Sequence, residues 1–212
     1  MITSTSNAKV KRLASLQKKK KLRDSEQVFL VEGIRMFREV PEDMLLEIYT
    51  TQAFMEKERK IIEEKAAASG ITAELLSDSV FGHVSDTKTP QGILCVVRQV
   101  KKDIGEISGG KAPLLLTLDN IQDPGNLGTI IRTAEGAGAA GVIMSGDCVD
   151  IYNPKTIRST MGSVYRVPFV YVHDLAETIL GLQAEGIRFF AAHLEGSCAY
   201  DEIDCRGKCA FL

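Results

Sequence analysis

Residues 118–144 read LDNIQDPGNLGTIIRTAEGAGAAGVIM, and this stretch decides the fold. Residues 114–118 lead into it as a short apolar run with the length of a strand that is covered on both faces. A polar turn then opens a helix with one apolar face, and a second apolar strand follows at residues 141–144. The pattern predicts a strand, helix and strand of a parallel sheet, where ligands bind beyond the carboxyl ends of the strands.

The turn within this stretch is expected to stop the strand, bend the chain and cap the helix. The turn supplies residues for these functions, in order, at Asp123, Pro124, Gly125 and Asn126, so that Asn126 is the expected cap. Arg132 follows on the polar side of the predicted helix, three residues after Thr129. A cation near the amino end of a helix at a sheet edge is a candidate functional residue.

The same stretch contains a glycine pattern that resembles a dinucleotide fingerprint. Gly136, Gly138 and Gly141 have the GxGxxG spacing, but the fingerprint needs its glycines after a strand and at the start of a helix. Here they end a helix and lead into a strand. We therefore expect these glycines to terminate the helix and to allow tight packing, and not to bind a nicotinamide cofactor.

The composition describes an ordinary globular protein. The chain has 212 residues, of which 44% are hydrophobic and 25% are charged, and no apolar run approaches the roughly 20 residues that span a bilayer. The amino-terminal residues lack the apolar core of a signal peptide. The five cysteines are odd in number and scattered, and neither they nor the three histidines have metal-ligand spacing. We expect a cytoplasmic protein with reduced thiols and no metal.

The charges are distributed unevenly along the chain. Residues 1–23 carry eight basic residues and no acid, while the net charge of the whole chain is −2. The basic residues are Lys9, Lys11, Arg12, Lys18, Lys19, Lys20, Lys21 and Arg23. A basic arm on an otherwise acidic protein indicates a nucleic-acid partner, and the alternative is a solvated lysine face on a terminal helix.

The order of predicted elements divides the chain into two α/β domains. Strands and helices alternate in residues 1–98, and residues 99–112 have the charge, glycine and proline content of a linker. Residues 113–212 again alternate between strands and helices, which predicts a doubly wound parallel sheet.

A second polar cluster, NPKTIRSTMGSVYRVPF, covers residues 153–169. Asn153 is a good helix cap, and Pro154 fits the first helical position. Cationic and hydroxyl side chains follow at Lys155, Arg158, Ser159, Thr160 and Ser163. Such groups suit a phosphate or another anion, and a well-capped surface helix with incidental charge is the alternative.

Together, the two polar clusters resemble the SpoU, or TrmH-type, branch of the SPOUT methyltransferases. DNIQDPGNLGTIIRTAEGAG is similar to the first motif of that family, and IRSTMGSVYRVPF is similar to the second. Residues 3–98 are similar to the substrate-binding domain that often precedes it, including SxxNxxVK at residues 4–11. The resemblance implies transfer of a methyl group from S-adenosylmethionine to a ribose 2′-hydroxyl of ribosomal or transfer RNA.

The resemblance also implies roles for single residues. Asn126 and Arg132 match the catalytic polar pair of the first motif, and the cofactor would contact Ala192, His193, Leu194 and Leu212. The second motif implies RNA contacts by Lys155, Arg158, Ser159 and Ser163, in addition to the basic arm. In the family this arginine is proposed to activate the 2′-hydroxyl. Because a guanidinium is almost never neutral in a protein, we prefer the alternative in which Arg132 orients a phosphate and stabilises the developing alkoxide, with Asn126 fixing the loop. The methyl carbon of a sulfonium is already electrophilic, so its transfer needs no metal.

The third motif of the family is expected just after residues 209–212. In the family this glycine-rich loop and the next helix complete a trefoil knot, wrap the cofactor and contribute to a homodimer. We expect the methyltransferase domain to be truncated before this motif. The alternative function is therefore a non-catalytic RNA-binding protein, and a weaker third option is an unrelated nucleotide-binding α/β enzyme.

Overall fold

The structure is a computed structural model that describes residues 1–196 and 198–212. Its helices are α1 (Ala8–Lys18), α2 (Lys20–Glu26), α3 (Ile34–Glu39), α4 (Gln52–Ala68), α5 (Asp78–Val84), α6 (Ile104–Ser108), α7 (Pro124–Gly136), α8 (Pro154–Thr160) and α9 (Leu175–Ala184). Its strands are β1 (Val28–Glu32), β2 (Leu45–Thr51), β3 (Ala73–Leu76), β4 (Ile93–Arg98), β5 (Leu114–Leu118), β6 (Gly141–Ser145), β7 (Phe169–Val172), β8 (Arg188–Phe190) and β9 (Cys209–Phe211). Within the described ranges, no helix is long and apolar enough to cross a membrane.

The chain forms two compact units. The first contains Met1–Val100 together with Asp150–Tyr165, and the second contains Lys101–Val149 together with Arg166–Leu212. The sequence-based division followed chain order and placed the second polar cluster in the later domain. In the structure α8 contacts β1, and the rings of Tyr152 and Phe29 lie 4.7 Å apart. Non-local packing therefore groups this segment with the first unit.

The first unit is built on a four-stranded sheet in the order β1-β4-β2-β3. Strand β4 is antiparallel to β1 and to β2, whereas β2 and β3 are parallel. Strand β4 is central and buried except at its last residue, as its continuous apolar sequence predicts. Helix α1 covers the core with Val10, Leu13 and Leu16, which are fully buried.

The basic amino-terminal segment is a pair of helices. Asn7 caps α1, because its side chain accepts a hydrogen bond from the amide of Lys9 at 2.9 Å. Because the apolar residues of α1 occupy one face, Lys11 and Lys18 are left exposed to solvent. The lysines thus belong to an ordered surface.

The second unit is a parallel sheet in the order β7-β6-β5-β9-β8. Every neighbouring pair of strands is parallel, so the predicted α/β architecture with a parallel sheet is confirmed. Its core includes Leu115, Ile143 and Ala210 from three adjacent strands. Strand β9 lies between β5 and β8, an order that the local sequence did not reveal.

The glycines of the rejected dinucleotide pattern have the structural roles expected of them. Gly138 follows the end of α7 with φ +67°, a conformation that favours glycine at a helix end. A Cβ added at Gly141 would lie 2.8 Å from the Cβ of Ile107. Gly141 therefore allows α6 to pack closely on β6.

Helices α5 and α6 are among the elements that the sequence did not predict. Helix α5 precedes the polar loop at residues 85–92, and its cap, Ser77, followed by the buried Val80, Phe81 and Val84, was the signal for it. Helix α6 lies within the predicted linker, where Asp103 and Glu106 form a capping box. Burial of Ile107 gives this short polar segment a packed structure.

Candidate active site

The carboxyl ends of the parallel strands bring several predicted site residues to one edge of the second unit. Strands β5, β9 and β8 are adjacent and parallel. The segment after β5 leads to Asn126, the segment after β8 contains Ala192, and Leu212 follows β9. This edge is where an open parallel sheet binds its ligands.

The loop after β5 is held by hydrogen bonds to the segment after β6. The amide of Asn120 donates to Ser145 Oγ at 2.9 Å, and the amide of Val149 donates to the carbonyl of Ile121 at 2.8 Å. The side-chain amide of Gln122 donates to the carbonyl of Asp147 at 2.7 Å. Asn120 also adopts φ +51°. These contacts fix the loop before any ligand binds.

Helix α7 begins at the end of this loop. Asp123 is its cap, with the carboxylate accepting the amide of Asn126 at 2.7 Å, and Pro124 occupies the first helical position. The prediction that Asn126 caps the helix is therefore wrong, because Asp123 binds the free amide. The side chain of Asn126 is consequently left exposed at the first turn.

Arg132 lies further along α7 on the exposed surface. Leu127, Ile131 and Ala134 bury the opposite side of the helix, which fixes the position of its backbone. Among the described residues no carboxylate pairs with the Arg132 guanidinium. Measured along the helix axis, the backbone of Arg132 lies about 9 Å beyond that of Asn126. Helical side chains tilt back toward the amino end. A permanent cation is therefore available to a ligand.

The predicted cofactor residues lie at the ends of β8 and β9. The amide of Ala192 donates to the carbonyl of Leu212, and the amide of Leu212 donates to the carbonyl of Phe190, both at 2.9 Å. His193 Nδ1 accepts the amide of Glu195 at 3.1 Å. The side chain of Leu194 is fully exposed, and that of Leu212 is 42% exposed. Backbone hydrogen bonds thus join the ends of β8 and β9, and the apolar side chains of Leu194 and Leu212 are exposed beside them.

Residues 153–165 of the second polar cluster lie in the first unit. Lys155 is exposed, Ser159 Oγ donates to the carbonyl of Lys155 at 3.0 Å, and Arg158 forms a 2.9 Å ion pair with Asp86. Ser163 is only 3% exposed because it lies in the tight 3-10 turn Ser163–Tyr165. Ser163 is therefore mostly buried, and its contact with RNA stays a prediction.

The basic helices contain cations of two kinds. Lys9 pairs with Glu74 at 2.5 Å, and Arg12 contacts both Glu26 and Glu47. The hydrogen bond to Glu74 raises the pKa of Lys9. Burial lowers the pKa of Arg12, but the hydrogen bonds and negative charges of Glu26 and Glu47 together outweigh burial, so that this pKa is raised. The remaining lysines are exposed, namely Lys11, Lys18, Lys19, Lys20 and Lys21.

Arg23, predicted with the other basic residues to bind RNA, is buried. It is 3% exposed, and its guanidinium donates to the carbonyl of Leu16 at 2.7 Å and to Asp150 at 2.6 Å. Its Nε is buried and has no hydrogen-bond partner in residues 1–196 and 198–212. Arg23 is therefore a structural cation and not part of an exposed RNA-binding surface.

Comparisons with known proteins assign the family. Residues 113–212 match the SpoU rRNA Methylase family, and residues 7–95 match the MRM3-like substrate binding domain. The chain is 33% identical over 202 residues to 23S rRNA (guanosine(2553)-2′-O)-methyltransferase RlmP of Bacillus subtilis (strain 168), covering 95% of this chain and 77% of that relative. The chain belongs to the SpoU rRNA methylase family.

Other members of the SpoU family give the same result. The chain is 30% identical over 158 residues to 23S rRNA (guanosine-2′-O-)-methyltransferase RlmB of Xylella fastidiosa, covering 71% of this chain and 63% of that relative. An AdoMet-bound rRNA methyltransferase from Sinorhizobium meliloti superimposes with a TM-score of 0.84 at 28% identity, covering 99% of this chain and 78% of that chain. The predicted family resemblance and α/β fold are confirmed.

Sequence reasoning missed the residues that support the site. Ser145 holds the loop after β5. Glu32 accepts the amide of Asp86, and Asp86 in turn pairs with Arg158. A polar residue that ends a buried strand was the available signal for Ser145 and for Glu32. Their partners lie far away in sequence, so only the folded chain identifies what they bind.

Proposed function

We propose that the chain transfers a methyl group from S-adenosylmethionine to a ribose 2′-hydroxyl of ribosomal RNA. The observation that carries this proposal is the carboxyl edge of the parallel sheet. There a pre-formed loop and α7 present Asn126 and Arg132, which pairs with no carboxylate among the described residues, beside the ends of β8 and β9. Membership of the SpoU family supports the same reaction.

The residues at the ends of β8 and β9 fit the methyl donor. Leu194 and Leu212 offer exposed apolar surface for an adenine ring, and Ala192 and His193 offer backbone polar groups beside them. An apolar site with a few fixed polar groups is typical of cofactor binding. When bound, S-adenosylmethionine supplies an electrophilic methyl carbon on a sulfonium. These four residues would hold it.

Arg132 acts as a fixed cation. A guanidinium stays charged at all working pH values, so it does not serve as the general base. It orients a phosphate of the RNA and stabilises the negative charge that develops on the 2′-oxygen. The hydroxyl proton passes to solvent water as the O–CH3 bond forms and the S–CH3 bond of the sulfonium breaks. Asn126 keeps the loop and the hydroxyl aligned, since alignment is a large part of the barrier in methyl transfer. A pH–rate profile without an ionisation that depends on Arg132 is expected.

The first unit recognises the RNA. The exposed lysines of α1 and α2 contact phosphates, which supplies affinity that falls as salt concentration rises. The 2′-hydroxyl is the group that distinguishes RNA from DNA, so the acceptor itself selects the polymer. Residues 1–98 therefore bind substrate, while residues 113–212 carry the cofactor and the chemistry.

Two further predictions concern the environment of the protein. We propose that it works in the cytoplasm, in keeping with its RNA substrate and its scattered cysteines. We also propose that it acts as a homodimer, in keeping with the family resemblance and with Leu180, which is exposed on α9. Light scattering after gel filtration gives the mass in solution, and a monomer at all concentrations would contradict the dimer.

The test is methyl transfer to an unmodified 23S rRNA transcript. The protein is incubated with S-adenosylmethionine tritiated on the methyl group, and the labelled RNA is hydrolysed in alkali. A label at the 2′-oxygen is recovered in dinucleotides that resist alkali, because the methylated oxygen no longer attacks the phosphodiester.

Calorimetry with S-adenosylhomocysteine separates the enzyme from the non-catalytic RNA-binding protein. Heat of binding together with alkali-resistant label supports the methyltransferase. Salt-sensitive RNA binding without either signal supports the binding protein. A label on a base, recovered in mononucleotides, would contradict ribose methylation directly.

A further inference from the structure

Glu32 organises the loop between α5 and β4. It is the last residue of β1 and is partly buried. Its Oε1 accepts hydrogen bonds from Ser85 Oγ and from Thr87 Oγ1, both at 2.6 Å. Its Oε2 accepts the backbone amide of Asp86 at 3.1 Å. One carboxylate therefore binds three consecutive residues of the loop.

The other end of the same loop is also attached. Gln91 Oε1 accepts the amide of Ile34 at 3.0 Å, and the amide of Gly33 donates to the carbonyl of Ile93 at 3.1 Å. Hydrogen bonds to a carboxylate are among the stronger ones in proteins. The segment that begins at Ser85 is consequently fixed relative to the end of β1.

This fixed loop carries the carboxylate that meets Arg158. Asp86 Oδ2 lies 2.9 Å from Arg158 Nη2, and about a third of each side chain is exposed. Exposed ion pairs contribute little to folding stability. A guanidinium has five N–H donors, and this pair uses only part of them. The ion pair is therefore better suited to orienting Arg158 than to stabilising the fold.

We propose that Glu32 and Asp86 are positioning residues that hold Arg158 for contact with the substrate RNA. Glu32 fixes the loop, the loop fixes Asp86, and Asp86 orients the guanidinium. This inference rests on the proposed function. Because Asp86 balances its charge, Arg158 contributes directed hydrogen bonds that set the register of the RNA, whereas the exposed lysines supply the salt-dependent affinity.

The sign of the effect on RNA affinity makes this proposal testable. Removing a carboxylate from an RNA-binding protein is expected to strengthen binding, since repulsion of phosphates is reduced. If Asp86 positions Arg158, Asp86→Asn instead weakens binding. Asp43→Asn is the matched control, because it removes another exposed carboxylate of the first unit.

The experiment measures binding of an unmodified 23S rRNA transcript over a range of salt concentrations. Glu32→Gln and Asp86→Asn are each expected to lower the affinity about fivefold with little change in the salt slope, and Arg158→Gln is expected to lower it by at least as much. In the Arg158→Gln background, either of the first two changes should have less than about a twofold further effect. Asp43→Asn should leave binding equal or slightly stronger.

Two features of the design separate an effect on RNA binding from a loss of folding. Asp86→Asn keeps the backbone amide that Glu32 accepts, so it breaks the ion pair without removing the loop anchor. Its Tm should stay within about 2 °C of the unsubstituted protein, as expected for an exposed pair. Asp86→Glu keeps the charge and should recover part of the lost affinity.

Different experimental results would contradict this inference and the proposed function. Stronger binding by Asp86→Asn, or an undiminished effect of Glu32→Gln in the Arg158→Gln background, would overturn the positioning role. Failure of the unsubstituted protein to bind the transcript would overturn it too. RNA binding without methyl transfer would refute the enzymatic function, while the binding cycle would still decide the role of Asp86.

Discussion

Arg23 in α2 and Arg132 in α7 are the same residue type in opposite situations. Arg23 is 3% exposed and is bound by a carbonyl and by Asp150. Arg132 is exposed and has no carboxylate partner within the part of the chain that the structure describes. One cation is used to hold the first unit together, and the other is available to a ligand of the second.

A formal charge alone therefore does not identify a binding residue. All eight cations of residues 1–23 look alike in sequence, yet Lys9, Arg12 and Arg23 already contact carboxylates. A charge that is compensated inside the protein adds little to the attraction of phosphate. Fewer cations of the basic helices are therefore available to RNA than the eight that the sequence contains.

The largest expected effect is on catalysis at Arg132. Arg132→Ala should lower the rate of methyl transfer about 10²- to 10³-fold, the size found when a donor that stabilises a developing oxyanion is removed. Thermal unfolding should be nearly unchanged, because the side chain is exposed. Arg35→Ala removes an exposed arginine from α3 and should leave the rate unchanged. Equal rates for Arg132→Ala and the unsubstituted protein would contradict the catalytic role.

The next effect is on stability at Arg23. Arg23→Met should lower the free energy of unfolding by about 3 kcal/mol, because it leaves a mostly buried Asp150 carboxylate without its cation. Urea denaturation measures this change. A loss well below 1 kcal/mol would show that Arg23 does not stabilise the first unit.

A smaller effect is expected for the exposed lysines. The double substitution Lys18→Gln and Lys19→Gln should weaken RNA binding about tenfold at moderate salt and lower the salt slope by about 1 to 2. The control replaces Lys57 and Lys60, two exposed lysines of α4, with glutamine. If both double variants bind equally well, the basic helices do not form the RNA-binding surface.

The smallest expected effect is on stability at Arg12, which is compared with Arg23 in the same pair of basic helices. Arg12→Met removes two ion pairs that are about one-third exposed, and we expect it to cost about 1 kcal/mol of unfolding free energy at most. The same urea titration that is used for Arg23→Met measures it. A cost as large as that at Arg23 would mean that burial does not explain the difference between the two arginines.

Part of the fold and of the site could be predicted because it depends on neighbours in sequence. The apolar run of β5, the turn and the apolar face of α7 follow from local periodicity and capping preferences. The cap itself was assigned to Asn126, although Asp123 fills it. Both side chains suit that position, and only the backbone geometry distinguishes them.

Other features depended on packing between distant segments. Strand β9 inserts between β5 and β8, which joins Ala192 and Leu212 through backbone hydrogen bonds. The segment Asp150–Tyr165 joins the first unit although it follows β6 in sequence. Neither arrangement leaves a local signal, since the partners of each strand or helix are chosen by burial of non-local surface.

The parallel α/β architecture and the family followed from the sequence, because periodicity and motif spacing are local properties. The roles of Asn126 and Arg132 stay predictions from the same motif. The tertiary structure alone decided which cations remain available. Arg23 meets Asp150, 127 positions away, and Arg158 meets Asp86, whose loop is held by Glu32. Charge compensation depends on distances of a few ångströms in space, and those distances exist only once the chain has folded.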